Sequence, residues 1–501
     1  MSEDEATELE EGVTELTTFY HTVLGLLIVL CSVLCFDEAR SKCTNASHEG
    51  RKLEMVFVGT FMLCAAADWL QGPYVYALYA SYGFEKFALA SLFVTGFASA
   101  GLLGPLVGQF ADKFGRKRSC MLLYCGAYAL SCMTKHFNIY AMLFIGRILG
   151  GIATSVLYSS FESWLVCEHA RQKLPPKVLD TIFSNMYFGN GLCAIVMGII
   201  AELVADAAEM RAVGDSKFNV GGDLSPFDLA ILFLILGATV MALTWVENTE
   251  SGPLLGRDCG VKVAHALKVL SDDPVLLLLM VVSSVFEAAM YAFIFEWTPA
   301  LSHAGRSPPL GLIFACFMLA YMAGANLYPR LSSRKIEGTD ALPVVMAVAA
   351  FALGTTWIMH LARVAHYDSG TAVTFLAFLL FEGSIGLYMP TLAALKARHV
   401  PEDVRATLYT LFRVPLNAIV CAVLLATLSL KLTLMLCTML LLTGFCCSIA
   451  LRSRVRGKDA AQVQPAAPSK EPSKGKADTE ASSLLKNGEA AQGGGGGCCV
   501  Q

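Results

Sequence analysis

The 501-residue chain has few charged side chains: only 16% of its residues are Asp, Glu, Lys or Arg, against about 25% in soluble domains. It also lacks a G-x-x-x-x-G-K-[ST] segment for nucleotide phosphates, a C-x-x-C pair for a metal and a basic domain face for nucleic acid. No nucleophile, base and metal-ligand combination is visible either. The sequence therefore predicts neither a soluble enzyme nor an ATP-driven pump, and we expect no metal or cofactor.

Apolar residues dominate instead, at 55% of the chain with a mean hydropathy of +0.57. From Met55 to Leu451, apolar runs recur between short polar connectors often enough for twelve spans of about 20 residues. Lipid offers backbone groups no partner, so such spans are helices. We predict an all-α polytopic membrane protein with six helices in 53–246, a central cytoplasmic loop over 247–273 and six helices in 274–451.

A further apolar run precedes these spans at 17–36. The residues before it, 1–16, are acidic and lack the basic region of a signal peptide, so we predict a retained extra transmembrane helix. The basic residues decide the orientation. When the first of the twelve spans enters from the cytoplasm, 24 Lys and Arg lie in cytoplasmic segments and 7 in exoplasmic ones. The positive-inside rule then places the N-terminus outside and the C-terminus inside.

The connector after the second span combines glycine, aspartate and basic residues at fixed spacing. From Gly108 it reads G-Q-F-A-D-K-F-G-R-K-R and resembles the G-x-x-x-D-[KR]-x-G-[RK]-[RK] signature of the major facilitator superfamily, a fold of two six-helix halves. An Asp near a helix end can pair with Arg in one conformation and release it in another. We predict a gate at Gly108, Asp112, Gly115 and Arg116, whereas the second half has Arg330 where the first has Asp112.

Four ionisable residues lie deep in the spans that begin the four three-helix repeats: Asp68, Arg147, Glu287 and Glu382. A charge at the bilayer centre costs about 2.5–3.5 kcal/mol on insertion scales, so we expect all four to face one aqueous cavity. In the fold that the chain resembles, the same four helices line such a cavity. The alternative is that ion pairs, such as Asp68 with Arg147, only fix the packing of the helices.

Arg147 and a second arginine inside the spans, Arg413, favour an oxyanion as substrate because guanidinium offers paired donors and stays charged. Buried carboxylates repel an anion when ionised but can carry a proton when neutral. We therefore predict proton symport, with Asp68, Glu287 and Glu382 as coupling residues, and a cationic substrate as the competing interpretation. The predicted substrate-binding residues are Arg147, Arg413, Asn417, Thr154, Tyr158 and Tyr291.

Longer segments narrow the resemblance to one branch of the superfamily. They include A-D-W-L-Q-G-P-Y from Ala67, F-E-S-W from Phe161 and F-R-V-P from Phe412. These segments resemble the molybdate-anion transporter family over roughly residues 20–450. The resemblance implies high-affinity uptake of molybdate across the cell membrane. Two alternatives remain. The protein transports another anion such as sulfate, or it is a non-transporting scaffold or sensor that keeps a transporter fold.

The segment 452–501 is rich in Ala, Ser, Lys, Pro and Gly, which predicts a disordered cytoplasmic tail. Within it, Leu484 and Leu485 end a stretch that resembles an acidic dileucine motif, which suggests sorting adaptors as partners and endosomal membranes as a second location. The end, C-C-V-Q, makes Cys498 and Cys499 candidates for lipidation, with an unmodified glycine-rich end as the alternative.

Overall fold

The structure, a computed structural model, describes residues 16–34, 48–157, 160–248, 259–302, 308–364, 368–401 and 404–463. This part of the chain is almost wholly helical. Twelve helical stretches in it are long and apolar enough to cross a membrane.

The helices of the first part of the chain follow one another with short connections. A two-stranded antiparallel sheet, Arg211–Ala212 with Asn219–Val220, and the 3-10 turn Gly222–Leu224 precede its last helix. The helices are α1 (Leu16–Leu34), α2 (His48–Gln71), α3 (Tyr74–Ser81), α4 (Lys86–Phe114), α5 (Arg116–Ser119), α6 (Ala127–Thr134), α7 (Tyr140–Leu157), α8 (Ser160–Arg171), α9 (Pro176–Asp206) and α10 (Ser225–Thr244).

The second part begins with a helix inside the predicted central loop, and its last helix continues beyond the predicted span end at 451. Asp273 caps α12 by accepting a hydrogen bond from the amide of Val275 at 2.9 Å. The helices are α11 (Cys259–Asp272), α12 (Pro274–Leu301), α13 (Leu310–Ala325), α14 (Leu327–Ser333), α15 (Gly338–Leu361), α16 (Asp368–His399), α17 (Arg405–Leu425) and α18 (Leu430–Val463).

The predicted third span is a composite helix that changes its winding partway along. A π-helical segment, Cys120–Gly126, joins α5 to α6 without a break. Tyr124 of this segment donates a hydrogen bond to the carbonyl of Cys64 at 2.8 Å, and Tyr128 of α6 donates to the carboxylate of Asp68. The composite helix thus lies along the polar side of α2.

Helix α1 packs against helices from the second part of the chain. Tyr20 is only 1% exposed, and its ring meets that of Phe375 edge-on at 4.8 Å. Arg330 donates a hydrogen bond to the carbonyl of Leu34, the last residue of α1, at 2.8 Å. Carbonyls at a helix C-terminus lack partners and favour cations. The basic residue at the position matching Asp112 therefore holds the end of the extra helix.

We expect Arg330→Gln to lower the melting temperature of the purified protein, because a hydrogen bond from a charged donor contributes about 1.5–3 kcal/mol. The change is measured by thermal unfolding in detergent. Arg334→Gln is the matched control, since this exposed arginine lies one turn further along the chain. Equal melting temperatures for the two variants would contradict the role assigned to Arg330.

Candidate functional site

The predicted halves meet along two pairs of helices. Helix α9 packs against α13, where Gly198 and Gly311 approach so closely that a Cβ on Gly311 would overlap the Gly198 carbonyl. Helix α4 packs against α17, with Gly101 beside the amide nitrogen of Asn417. Small residues allow this close approach of helix backbones.

A group of polar side chains surrounds Glu287 in the second half. Glu287 Oε1 accepts a hydrogen bond from the Tyr388 hydroxyl at 3.4 Å and lies 3.8 Å from Lys396 Nζ. Arg413 and Tyr291 interact electrostatically with the same carboxylate. These five residues, contributed by α12, α16 and α17, are the Glu287 cluster. Within the described chain, Lys396 is the cation at ion-pair distance from this carboxylate, whereas Arg413, which is exposed, acts on it from further away.

Lys396 is the member of the Glu287 cluster that the sequence analysis did not single out as a site residue. It lies in α16 with only 18% of its side chain exposed. The apolar run of that span ends before it, although the helix continues to His399. Lys396 follows Glu382 by about four helical turns, so both residues lie on one face of the helix. This spacing is the feature of the sequence from which Lys396 could have been identified.

In the first half, the charged residues have neighbours of their own. Asp68 accepts a hydrogen bond from Tyr128, so the alternative pairing of Asp68 with Arg147 does not form. Arg147 Nε donates to the Leu92 carbonyl at 3.0 Å, and its guanidinium lies 5.1 Å from the Phe93 ring centre. Arg147 and Arg413 therefore have separate surroundings within the described chain.

The other predicted substrate-binding residues are spread over three helices. Thr154 donates its hydroxyl proton to the Gly150 carbonyl of its own helix at 3.0 Å. Tyr291 lies 4.7 Å from the ring of Phe97 in α4, across the interface between the halves. Asn417 is exposed, and Tyr158 lies outside the described residues.

Glu382 is the most isolated of the predicted coupling residues. Its side chain lies in α16 with 6% of its surface exposed, near Tyr321 of α13. Within the described chain, it makes no hydrogen bond or ion pair. An ionised carboxylate there has no compensating charge beside it.

A partly buried ion pair links the halves at the predicted outer end of the bundle. Lys86 Nζ lies 2.6 Å from Glu296 Oε1 and donates to the Leu428 carbonyl at 2.7 Å. Thr433 also donates to Glu296, at 3.3 Å. Only 4% of the Glu296 side chain is exposed. These four residues form the Lys86–Glu296 clasp.

Comparison with known proteins identifies the family. Residues 19–383 match a family model for sugar transporters with 12 transmembrane segments, MFS_5. The molybdate-anion transporter of Xenopus tropicalis is 34% identical over 410 residues, which cover 80% of this chain and 86% of the relative. That of Takifugu rubripes is 33% identical over 442 residues, with 82% and 87% covered.

The chain belongs to the molybdate-anion transporter family of the major facilitator superfamily. The family recognised from the sequence is thereby confirmed, and so is the prediction of a multi-pass membrane protein that is not an enzyme.

Solved structures place this family member in the predicted fold class. The nucleoside transporter NupG superposes with a TM-score of 0.59 at 13% identity, over 81% of this chain and 99% of NupG. A D-xylose-proton symporter superposes with a TM-score of 0.58 at 15% identity, over 81% and 97%. At these identities the likeness shows the fold alone. The all-α major facilitator fold is confirmed, and a membrane-crossing role for α1 stays a prediction.

In this member of the molybdate-anion transporter family, the signature connector makes a turn that requires glycine. Gly115 has a φ of +106°, and a Cβ there would overlap the carboxylate of Glu247. That carboxylate accepts hydrogen bonds from the amides of Lys117 at 3.0 Å and Arg118 at 3.2 Å. An anion at a helix N-terminus satisfies free amides and the helix dipole. Gly115 thus makes room for a cap supplied from beyond α10.

The remaining residues of the predicted gate lie beside this turn. Arg116 is buried and donates to Cys167 Sγ of α8, within the first half. Gly108 and Asp112 belong to α4, and the side chain of Asp112 lies outside the described part. The gating role of all four residues stays a prediction.

We expect Gly115→Ala to destabilise the protein more than Gly83→Ala. Both glycines have positive φ, but Gly115, with φ +106° and ψ +141°, lies near the extended high-φ region that is essentially restricted to glycine, and a Cβ there also meets Glu247, whereas the space around Gly83 is empty. Thermal unfolding of these two variants measures strain and loss of the cap together, and Glu247→Gln measures the cap alone. If Glu247→Gln melts at the wild-type temperature, the cap contributes nothing measurable.

Proposed function

We propose that this protein carries molybdate, a tetrahedral dianion, across the membrane by alternating access, driven by protons. Two findings support the proposal together: relatives at 32–34% identity are named molybdate-anion transporters, and the Glu287 cluster holds more cations than carboxylates. The excess of cations is the structural observation on which the proposal depends. It favours an anion over a cationic substrate.

Arg413 is the central substrate ligand in this proposal. Its planar guanidinium can donate two parallel hydrogen bonds to neighbouring oxygens of one oxyanion. Asn417 lies one helical turn away on α17 and adds amide donors at the interface between the halves. The proposed set of substrate-binding residues is completed by Arg147, Thr154, Tyr158 and Tyr291.

Proton coupling is assigned to Asp68, Glu287 and Glu382. Burying an ionised carboxylate without a partner is unfavourable, so Glu382 accepts a proton at little cost. Asp68 and Glu287 each keep one tyrosine hydroxyl as a donor. A proton that enters with molybdate offsets part of its charge and supplies the driving force.

Alternating access needs contacts between the halves that can break. The Lys86–Glu296 clasp is such a contact, because it joins the first residue of α4 to α12 and to the connection before α18. We propose that it closes the outer end and opens when molybdate enters. With the N-terminus outside and the C-terminus in the cytoplasm, the protein resides in the plasma membrane.

The sorting and lipidation proposals concern Leu484, Leu485, Cys498 and Cys499, which lie outside the described residues. Adaptors that bind the dileucine would bring the protein to endosomal membranes as well.

Cells that express the full-length protein should take up labelled molybdate with saturable kinetics. We expect Arg413→Ala and Arg147→Ala each to abolish uptake with surface amounts unchanged, because a lost ligand charge leaves the anion uncompensated. Arg334→Gln, which alters an exposed arginine, is the control. Uptake should rise as the external pH falls. Absence of saturable uptake would favour a scaffold or sensor, and displacement by sulfate as effective as by molybdate would favour a general oxyanion carrier.

The clasp predicts a charge-swap rescue. Lys86→Glu places two carboxylates together at a largely buried position, so uptake should fall by more than about tenfold, the equivalent of 1.4 kcal/mol. The double variant Lys86→Glu with Glu296→Lys restores opposite charges and should recover most of the rate. Uptake in all variants is compared at equal surface amounts. A double variant no better than Lys86→Glu would argue against the clasp.

A further inference from the structure

Lys396 reaches into the protein interior without donating a hydrogen bond to any described residue. Its ammonium lies 5.4 Å from the ring centre of Phe412 and 5.9 Å from that of Tyr409. Both rings attract the cation through cation–π contacts, and only 18% of the Lys396 side chain is exposed. The three N–H donors of the ammonium therefore lack acceptors within the described chain.

The distance between Lys396 and Glu287 describes a loose pair. Charge-assisted N–H to carboxylate bonds are about 2.7–2.9 Å long, whereas Lys396 Nζ lies 3.8 Å from Glu287 Oε1. Glu287 Oε1 also accepts a hydrogen bond from the Tyr388 hydroxyl, at 3.4 Å. Lys396 and Glu287 therefore do not satisfy each other's hydrogen-bonding capacity, and a third charged group can bind between them.

The charges around Glu287 can be counted from every side. Lys396 and Tyr388 face Glu287 from α16, and Arg413 faces it from α17. Tyr291 lies on α12, the helix of Glu287 itself, and the uncharged Phe97 of α4 packs against that tyrosine. With Glu287 ionised the cluster carries one net positive charge. When Glu287 takes up a proton from solvent, it carries two, the number that matches a dianion.

We propose that Lys396 is a further ligand of the tetrahedral dianion, beside Arg413, and that Glu287 is an internal anion that competes for both cations. Uptake of a proton by Glu287 neutralises the carboxylate and releases Lys396 and Arg413 to the substrate. Loss of that proton restores the competitor and expels the substrate. This inference rests on the proposed function and adds to it the residue that joins proton binding to anion binding.

The test measures molybdate binding to the purified full-length protein by calorimetry, from mildly acidic to mildly basic pH. Lys396→Met should raise the Kd at least about tenfold, or 1.4 kcal/mol, and Lys396→Arg should keep most of the affinity because it keeps the charge. Arg398→Met is the matched control, since Arg398 lies in the same helix with 51% of its side chain exposed, near Glu337. Its Kd should equal that of the wild type.

The pH dependence separates competition from simple attraction. Wild-type Kd should rise with pH as Glu287 ionises, whereas Glu287→Gln should bind tightly throughout. A wild-type Kd in Lys396→Met, or unchanged pH dependence in Glu287→Gln, overturns the inference while wild-type binding upholds the proposed function. Absence of molybdate binding by the wild type overturns both. If Lys396→Met does not fold, Lys396→Gln serves the same comparison.

Discussion

A charged side chain between the ends of a membrane-spanning helix needs a partner inside the protein or a water-filled cavity, because lipid solvates neither ions nor unpaired polar groups. At two positions in the described chain, an ion pair meets this requirement by joining helices. Lys86 with Glu296 connects α4 to α12, and Lys396 with Glu287 connects α16 to α12. Helix α12 therefore carries a carboxylate for each of two cations, one near its predicted outer end and one near its middle. Both contacts follow from the same constraint, but only the first crosses between the halves.

The halves use their charges differently. In the first half, Lys135 is buried against neutral groups: its ammonium lies 3.3 Å from Gln71 Oε1, 3.2 Å from Ser131 Oγ and 4.9 Å from the Phe227 ring centre. Such contacts fix helices relative to one another. In the second half, the cations of the Glu287 cluster share one carboxylate and keep donors unused, which is the arrangement expected where a ligand binds and leaves.

Hydropathy predicted the helices well because a span must be both long and apolar. The predicted second half begins at residue 274, where α12 begins. The same criterion does not reveal charges that lie on a helix beyond its apolar run, such as Lys396, because α16 continues to His399. Partners of buried charges depend on helix packing. Asp68 accepts from Tyr128 of α6, which packs along α2, rather than from Arg147, and no one-dimensional spacing contains that packing.

In the proposed alternating-access cycle, the two ends of the bundle differ in what has to break. The Glu247 cap joins the amides of Lys117 and Arg118 to the residue that follows the first half, so it can move with that half as a unit. The Lys86–Glu296 clasp links both halves and has to open for the proposed outward-facing state. A ligand shifts such an equilibrium only by its difference in affinity for the two states. Because 32% of the Lys86 side chain is already exposed, water can solvate part of what opening breaks, and contacts of the outward-facing state have to offset the remainder. In the proposed cycle, a dianion bound between Arg413 and groups of the first half is one source of such contacts, so opening of the clasp would depend on the substrate.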